Sequence, residues 1–311
     1  MNIITTVSGI HPRSEKLIKM TREFDKGVIS YDKLEKALLN DVKSFIRVQS
    51  EAELEVLSNG MLNWQDPLRP IIECVEGIKC GPYFRWFETN TFYRKPIVVG
   101  KLRIRKEDVK KFFNLDLIPE EKSRIAILPG PYTLTILSNK RNIESFTMIL
   151  KDIIKLLKDD YKNLFILLQE PCLVYEQYRP RIKYFPYLKK AYNQLYSDSP
   201  KKFIIHTFFG NAKNATKLLS DLECWVGIDL IETPYDILKN FTKSNILLGI
   251  LDAQNPIIEE SKRFMRIVNY IKNLGIKNVG LCPNTELRYI PRKIADKKVI
   301  ALKDLKYLLV N

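Results

Sequence analysis

The stretch KFIIHTFFG (residues 202–210), followed by WVGIDLIETP (225–234), decides the fold class. In both, a short apolar run leads into polar residues and then a Gly or Pro. Runs that are nearly continuous in apolar residues are typical of parallel strands covered on both faces. Six further runs of this kind occur in the chain: NIITTVSG (2–9), AELEVLSNG (52–60), RIAILPG (124–130), LFILLQEP (164–171), NILLGILDAQNP (245–256) and KNVGLCPN (277–284).

Amphipathic stretches such as DIIKLLKDDYKNL (152–164) separate these runs, so strand and helix patterns alternate along the chain. No G-x-G-x-x-G loop follows the first run, which leaves a dinucleotide-binding doubly wound sheet without support. Eight runs therefore predict an α/β fold, a (β/α)8 barrel of the TIM type. Residues 64–112 are too long for a simple connection, and we predict an insertion after the second strand, at the barrel mouth, in a single barrel spanning 1–311.

The composition restricts the classes of function. A net charge of +15 raises the hypothesis of nucleic-acid binding, but the lysines are scattered among acidic residues, as on solvated helix faces, so we expect no nucleic-acid partner. No apolar stretch is long enough for a membrane helix and the N-terminus lacks a signal-peptide pattern, which predicts a cytoplasmic protein without a membrane partner. Five cysteines without a CxxC pair indicate neither a disulfide framework nor a zinc ribbon.

Polar residues at the ends of the predicted strands are the candidates for chemistry, because barrel enzymes build their sites there. His206 ends a strand, and a metal bound to it would need Glu232 and Cys282 as partners. The alternative is a histidine that hydrogen-bonds a neighbouring carbonyl or carboxylate. Glu170 is an acid, a base or a hydrogen-bond anchor, and Asp229 is either a site residue or a helix cap.

The insertion is rich in aromatic and basic residues. It holds Tyr83, Phe84, Trp86, Phe87, Phe92 and Tyr93, with Arg85, Arg94 and Lys95 among them. This mixture is typical of a surface that binds a planar or anionic ligand, and it also suits packing of the insertion onto the barrel rim. The basic run PRSEKLIK (12–19) after the first strand would meet an anionic group at a helix start, or it would be a solvated helix N-terminus.

These segments, in this order, resemble the cobalamin-independent methionine synthases over nearly the whole chain. WFETNTFY (86–93) is similar to the W-F-D/N-T-N-Y-H-Y segment of the N-terminal barrel of the two-barrel enzymes, and GMLNWQD (60–66) to its G-D-F-x-W-Y-D. PNTELRYIP (283–291) is similar to its S-C-S-L-L-H-x-P region, and LLQEPCLVY (167–175) and LGILDAQNP (248–256) match further family segments. The resemblance implies a barrel fold and methyl transfer to homocysteine as the family's activity.

The resemblance also implies which positions bind zinc in the family's catalytic barrel. His206 matches the first ligand and Glu232 the third, but Phe208 and Thr285 stand at the two cysteine positions, with Cys282 as the nearest alternative thiol. Gln254 replaces the family's proton-donating histidine, and an amide cannot exchange protons near neutral pH. We therefore expect no bound zinc and assign no catalytic residue.

The N-terminal barrel of the two-barrel enzymes has lost its own zinc site in the same way. By resemblance, this chain is predicted to be an accessory or substrate-binding component of methionine synthesis that works with a separately encoded catalytic barrel and binds an anionic small molecule, a methyl-folate-like donor. The residues predicted to bind this ligand are Arg13, Lys16, Lys19, Trp86, Asn90, Glu170 and Asp229. The alternative is a stand-alone methyltransferase with an altered zinc site made by His206, Glu232 and Cys282.

Overall fold

A computed structural model of the chain describes residues 1–140 and 142–310. Its strands are β1 (Asn2–Thr5), β2 (Val56–Leu57), β3 (Val75–Arg85), β4 (Phe92–Ile104), β5 (Ser123–Pro129), β6 (Leu164–Gln169), β7 (Phe203–Thr207), β8 (Trp225–Asp229), β9 (Asn245–Leu251) and β10 (Asn278–Pro283). Its α-helices are α1 (Glu15–Asp25), α2 (Tyr31–Glu51), α3 (Arg69–Cys74), α4 (Lys106–Phe112), α5 (Pro131–Leu137), α6 (Ile143–Asp160), α7 (Phe185–Tyr196), α8 (Thr216–Leu219), α9 (Met265–Asn273) and α10 (Arg292–Val310). Short 3-10 helices lie at Pro171–Leu173, Ile182–Tyr184, Pro200–Lys202, Ala212–Ala215, Tyr235–Phe241, Ser261–Phe264 and Leu287–Tyr289.

Eight parallel strands form one curled sheet in the order β1-β10-β9-β8-β7-β6-β5-β2. The two strands at the ends of this order share no ladder pairs in the described part of the chain. Instead, the carboxylate of Glu55, next to β2, accepts hydrogen bonds from the backbone N–H and the hydroxyl of Thr5 in β1, both at 2.7 Å. The predicted (β/α)8 barrel is confirmed, with one seam closed by a side chain.

The apolar runs form strands because both of their faces are buried. Alternate side chains such as Ile127, Leu167 and Ile204 fill the inside of the barrel, while their neighbours pack outward against the helices. Each helix presents one apolar face, and α1 begins where the Ser14 hydroxyl accepts a hydrogen bond from the backbone N–H of Leu17. This arrangement places the polar ends of the strands together at one face of the barrel.

The insertion after β2 contains an antiparallel hairpin, β3 and β4, flanked by α3 and α4. The sequence did not predict these two strands. At the hairpin tip, Phe87 has a left-handed backbone (φ 50°). Its ring lies 4.9 Å from that of Tyr175 and 5.3 Å from that of Phe209, which follow β6 and β7. The tip therefore covers part of the face where the strands end.

Within residues 1–140 and 142–310, no helix combines the length and the apolar character that a bilayer span requires.

Candidate functional site

The ends of β6, β7 and β10 bring together a set of buried polar side chains, here called the strand-end cluster: Gln169, His206, Thr285 and Glu286. Gln169 and His206 are register neighbours on adjacent strands. Gly9, after β1, lies against both Gln169 and Glu286, because a Cβ built there would be 2.8 Å from Gln169 Nε2 and 2.6 Å from Glu286 Cβ. The cluster occupies the position at which a barrel enzyme builds its active site.

The imidazole of His206 is fully buried, and neither ring nitrogen has a hydrogen-bond partner among the described residues. Burial lowers the pKa of His206 from 6.5 to about 3, so the ring is neutral. The ring centroid lies 5.3 Å from that of Phe208, and Gly227 leaves the space that the imidazole fills. Among the described residues, this histidine has no hydrogen-bond partner and belongs to no group of side chains that could hold a metal ion.

The donor set around His206 does not fit a zinc ion. Phe208 is buried and offers no ligand atom, while Glu232 is exposed on the loop after β8. Cys282 lies inside the barrel, where burial raises the pKa of its thiol well above the ordinary value and so disfavours the thiolate that binds zinc. Across the described ranges, no three His, Cys, Asp or Glu side chains come together in a way that could hold a metal ion.

Glu170 lies buried at the end of β6, against the first turn of α5. Its carboxylate accepts hydrogen bonds from the backbone N–H of Tyr132 (2.9 Å) and Thr133 (2.8 Å), the hydroxyl of Thr133 (2.6 Å) and that of Tyr192 (2.8 Å). Burial raises the pKa of Glu170 from 4.5 to about 7, although these four bonds oppose the shift. The side chain anchors a helix to a strand end, which is one of the roles predicted for it.

Asp229 organises the loops at the ends of β7, β8 and β10. Its buried carboxylate accepts hydrogen bonds from the backbone N–H groups of Ile231 (2.9 Å) and Phe209 (3.3 Å) and from the amide of Asn284 (3.2 Å). Burial raises the pKa of Asp229 from 3.8 to about 7. No metal or helix start is needed to explain this residue, because its hydrogen bonds hold three loops together.

Three other predicted residues lie apart from the strand-end cluster. Gln254 is exposed on the loop after β9, and Asn90 is exposed in the hairpin tip. Trp86 is fully buried against Phe87 and Tyr93, with ring centroids 4.9 and 5.7 Å away. Trp86 therefore serves as the core of the hairpin tip and offers no open surface to a ligand.

A cleft of about 630 Å³ opens between α1, the loop after β2 and the hairpin. We call it the arginine cleft, after the three guanidinium groups of Arg13, Arg69 and Arg94 that line it. Aromatic side chains from all three segments line it too: Phe24, Trp64, Tyr83 and Phe92. Its volume is within the range of small-molecule sites, and arginine beside aromatic rings is chemistry that suits a planar anion.

The arginines of the cleft are held in place. Arg13 donates from Nε to the backbone carbonyl of Leu62 at 2.7 Å, and the Arg94 guanidinium lies 3.8 Å above the ring of Tyr83. Asp66 fixes the hairpin to the cleft by accepting a hydrogen bond from the backbone N–H of Arg94 at 2.6 Å. Burial raises the pKa of Asp66 to about 6.

Of the basic residues predicted for ligand binding, Arg13 lines this cleft, whereas Lys16 and Lys19 are exposed on α1 outside it. Sequence reasoning missed Arg69 and Asp66, and it also missed Arg288, whose buried guanidinium lies 3.1 Å from Glu286 and donates to the carbonyl of Gln65 at 2.6 Å. Arg288 lies in the short 3-10 helix after β10, and its place in the segment PNTELRYIP (283–291) was the signal that could have found it. Arg288 connects the strand-end cluster to the wall of the arginine cleft.

The fold and the site define a class: a (β/α)8 barrel with a basic, aromatic cleft beside its strand ends and a strand-end cluster that lacks a metal-binding set among the described residues. Residues 77–275 match the family model described as "Cobalamin-independent synthase, N-terminal domain". The chain belongs to the cobalamin-independent methionine synthase family, as the resemblance implied.

The proteins similar to this chain are of two kinds, one close to it in length and one much longer. A methionine synthase of Sulfolobus acidocaldarius is 24% identical over 310 residues, covering 95% of this chain and 89% of that protein. A 5-methyltetrahydropteroyltriglutamate–homocysteine methyltransferase of Lactococcus lactis is 26% identical over 233 residues, which is 69% of this chain but 30% of that protein. Among solved structures, a B12-independent methionine synthase of Shewanella is 15% identical, with a TM-score of 0.76 and full coverage of both chains, which supports the fold.

Proposed function

We propose that this protein is an accessory, substrate-binding barrel of cobalamin-independent methionine synthesis that works with a separately encoded, zinc-bearing catalytic barrel. In this role it holds an anionic, methyl-folate-like donor and contributes no methyl-transfer chemistry of its own.

The main support is the state of His206. A zinc-activated thiol requires several ligands with thiolate or carboxylate groups at one point, and by the resemblance Phe208 stands where the family has a cysteine ligand. Glu232 lies exposed on its loop, away from the buried imidazole. With these residues, homocysteine has no metal to bind and no group that would lower its thiol pKa.

The arginine cleft supports binding of an anion. Arg13, Arg69 and Arg94 outnumber the acids Asp25 and Asp66 that also line it. Arg69 pairs with Glu73 on the same helix, and Arg94 donates to the carbonyl of Gly81, so both guanidinium groups are held in position. A carboxylate in the cleft would gain charge-assisted hydrogen bonds from the guanidinium groups in its wall.

Reconstitution tests the accessory role. The purified chain should contain no zinc, form no methionine from homocysteine and a methyl-folate, and increase the rate when it is added to a separately purified catalytic barrel from the same source. The variant Arg94→Gln should lose this stimulation, whereas Lys16→Gln on exposed α1 should keep it. Equal rates with and without the chain would refute the proposal.

One observation favours a second candidate, a stand-alone methyltransferase: a relative named methionine synthase is aligned over 89% of its own length with this single barrel. This candidate predicts methionine formation by the chain alone and stoichiometric zinc that disappears in a His206→Ala variant. Metal analysis of both proteins, together with the unaided activity of the wild type, separates the two functions.

A further inference from the structure

A second cavity opens beside the strand ends, apart from the arginine cleft. It has a volume of about 300 Å³ and lies between the hairpin tip and the segments that follow β6 and β7. Its lining residues in the described ranges all differ from those of the arginine cleft. We call it the amide pocket, because six of its side chains end in a planar amide, carboxylate or guanidinium group: Glu88, Glu176, Gln177, Arg179, Asn211 and Asn214.

One wall of the amide pocket is aromatic and is held in place from behind. The rings of Tyr175 and Phe209 line the pocket, and both pack on the buried ring of Phe87, with centroids 4.9 and 5.3 Å away. Gly210 lets the two segments meet, because a Cβ built there would lie 2.5 Å from the carbonyl oxygen of Val174. The aromatic wall is therefore in position before a ligand binds, which reduces the ordering that binding requires.

The charged groups of the pocket are largely matched by their neighbours. The hydroxyl of Tyr175 donates to Glu88 Oε1 at 3.1 Å, and the guanidinium of Arg179 lies 3.8 Å from the carboxylate of Glu176. Two acids and one arginine give the pocket no excess of positive charge, in contrast to the arginine cleft. The amide pocket is thus not built for an anion, and its remaining polar groups suit an uncharged ligand.

The combination of planar polar groups with aromatic faces indicates the chemistry of that ligand. An amide or carboxylate offers two polar atoms side by side, which match two hydroxyl groups on neighbouring carbon atoms. A sugar ring carries such hydroxyls along its edge and an apolar C–H face that packs against an aromatic ring. A volume of about 300 Å³ lies at the small end of the range of ligand sites and suits a single ring.

From these observations we infer that the amide pocket binds a neutral sugar ring with two neighbouring hydroxyl groups. The C–H face of the ring lies on Tyr175 and Phe209, and the hydroxyls meet the amides of Gln177 and Asn214. This site goes beyond the proposed function, because it takes no anion and uses none of the arginines of the cleft.

The probes are methyl β-D-ribofuranoside and its 2,3-dideoxy analogue, which lacks only the two neighbouring hydroxyls. Each is titrated into the full chain and followed by NMR chemical shifts. The riboside should bind more tightly, on the order of tenfold, because the analogue leaves polar groups of the pocket without partners. Asn214→Leu should abolish most of this difference, whereas the matched control Asn40→Leu, an equally exposed asparagine on α2, should retain it.

Saturation-transfer NMR gives an independent measurement of where the ring lies. Protons on one face of the sugar should receive more saturation than the methoxy group, and Tyr175→Leu should reduce that contrast, since the variant removes one aromatic ring of the wall. Equal affinity for riboside and analogue, or no saturable binding of the riboside, would overturn the inference. Tighter binding of n-butylguanidinium than of the riboside would also overturn it, because the pocket would then select a cation. None of these outcomes affects the anion site of the proposed function.

Discussion

Replacing His206 with Leu should make the protein more stable at pH 7. The wild-type imidazole is fully buried, and neither nitrogen has a hydrogen-bond partner among the described residues, so folding removes both from water without compensation. An unsatisfied buried polar group costs about 1–3 kcal/mol, and a leucine of similar volume avoids that cost. We expect the free energy of unfolding to rise by an amount in this range, measured by urea denaturation.

The same substitution should change the pH dependence of stability. The pKa of His206 is lowered to about 3 in the folded state and is 6.5 when the chain is unfolded, so between these values the unfolded state binds more protons. Stability of the wild type therefore falls with decreasing pH below 6.5, by about 1.4 kcal/mol per unit, or about 2 kcal/mol at pH 5. The advantage of the leucine variant should widen by that amount.

A His206→Gln variant separates the two effects, because its amide is polar but does not titrate. It should share the altered pH dependence of the leucine variant without its gain at pH 7. His11, whose pKa is lowered to about 4, is present in all three proteins, so its contribution cancels. A leucine variant that is less stable than the wild type at pH 7, with an unchanged pH profile, would refute the reasoning and show that the imidazole has a partner.

Three other substitutions test the packing around the site. Lys298→Met should lower the free energy of unfolding by about 3–5 kcal/mol, because the carboxylate of Glu259 loses the buried ammonium group that lies 2.7 Å away. Adding Glu259→Gln to this variant should restore part of the loss, as measured by urea denaturation. Phe87→Ala should cost about 3 kcal/mol and speed amide exchange in the hairpin tip, since the ring is buried against the strand-end loops. Glu170→Gln should flatten the dependence of the free energy of unfolding on pH. The pKa of Glu170 is about 7 in the folded state and 4.5 in the unfolded state, so wild-type stability decreases as the pH rises between these values. An unchanged pH dependence would contradict this assignment.

The barrel itself could be predicted from the sequence because its signal is local. The runs that form β5 to β10 are apolar on both faces. The predicted runs are longer than the observed strands, mainly because they include the polar residues that follow each strand. The hairpin was missed since most residues of β3, such as Lys79 and Phe84, are exposed and show no clean alternation. Of the nine residues predicted around the second strand, the ladder includes Val56 and Leu57 only.

The site was harder to predict because its parts are distant in the sequence. The ends of β6, β7 and β8 gave Glu170, His206 and Asp229 as candidates, but their roles depend on partners such as Tyr192 that only the folded chain brings near. The arginine cleft joins Arg13, Arg69 and Arg94 from three segments. Their spacing in the sequence follows no helix or strand period, so the sequence could not predict that these residues line one cleft.

The closure of the barrel at Glu55 has a consequence for how the molecule fluctuates. The carboxylate of Glu55 holds β1 to the segment that leads into β2, and Lys306 of α10 donates a hydrogen bond to the same carboxylate. A full ladder would distribute this restraint over several backbone hydrogen bonds, whereas here it depends on the side chains of Glu55 and Lys306. Opening of the barrel should therefore begin between β1 and β2, while β1 stays paired with β10 on its other side.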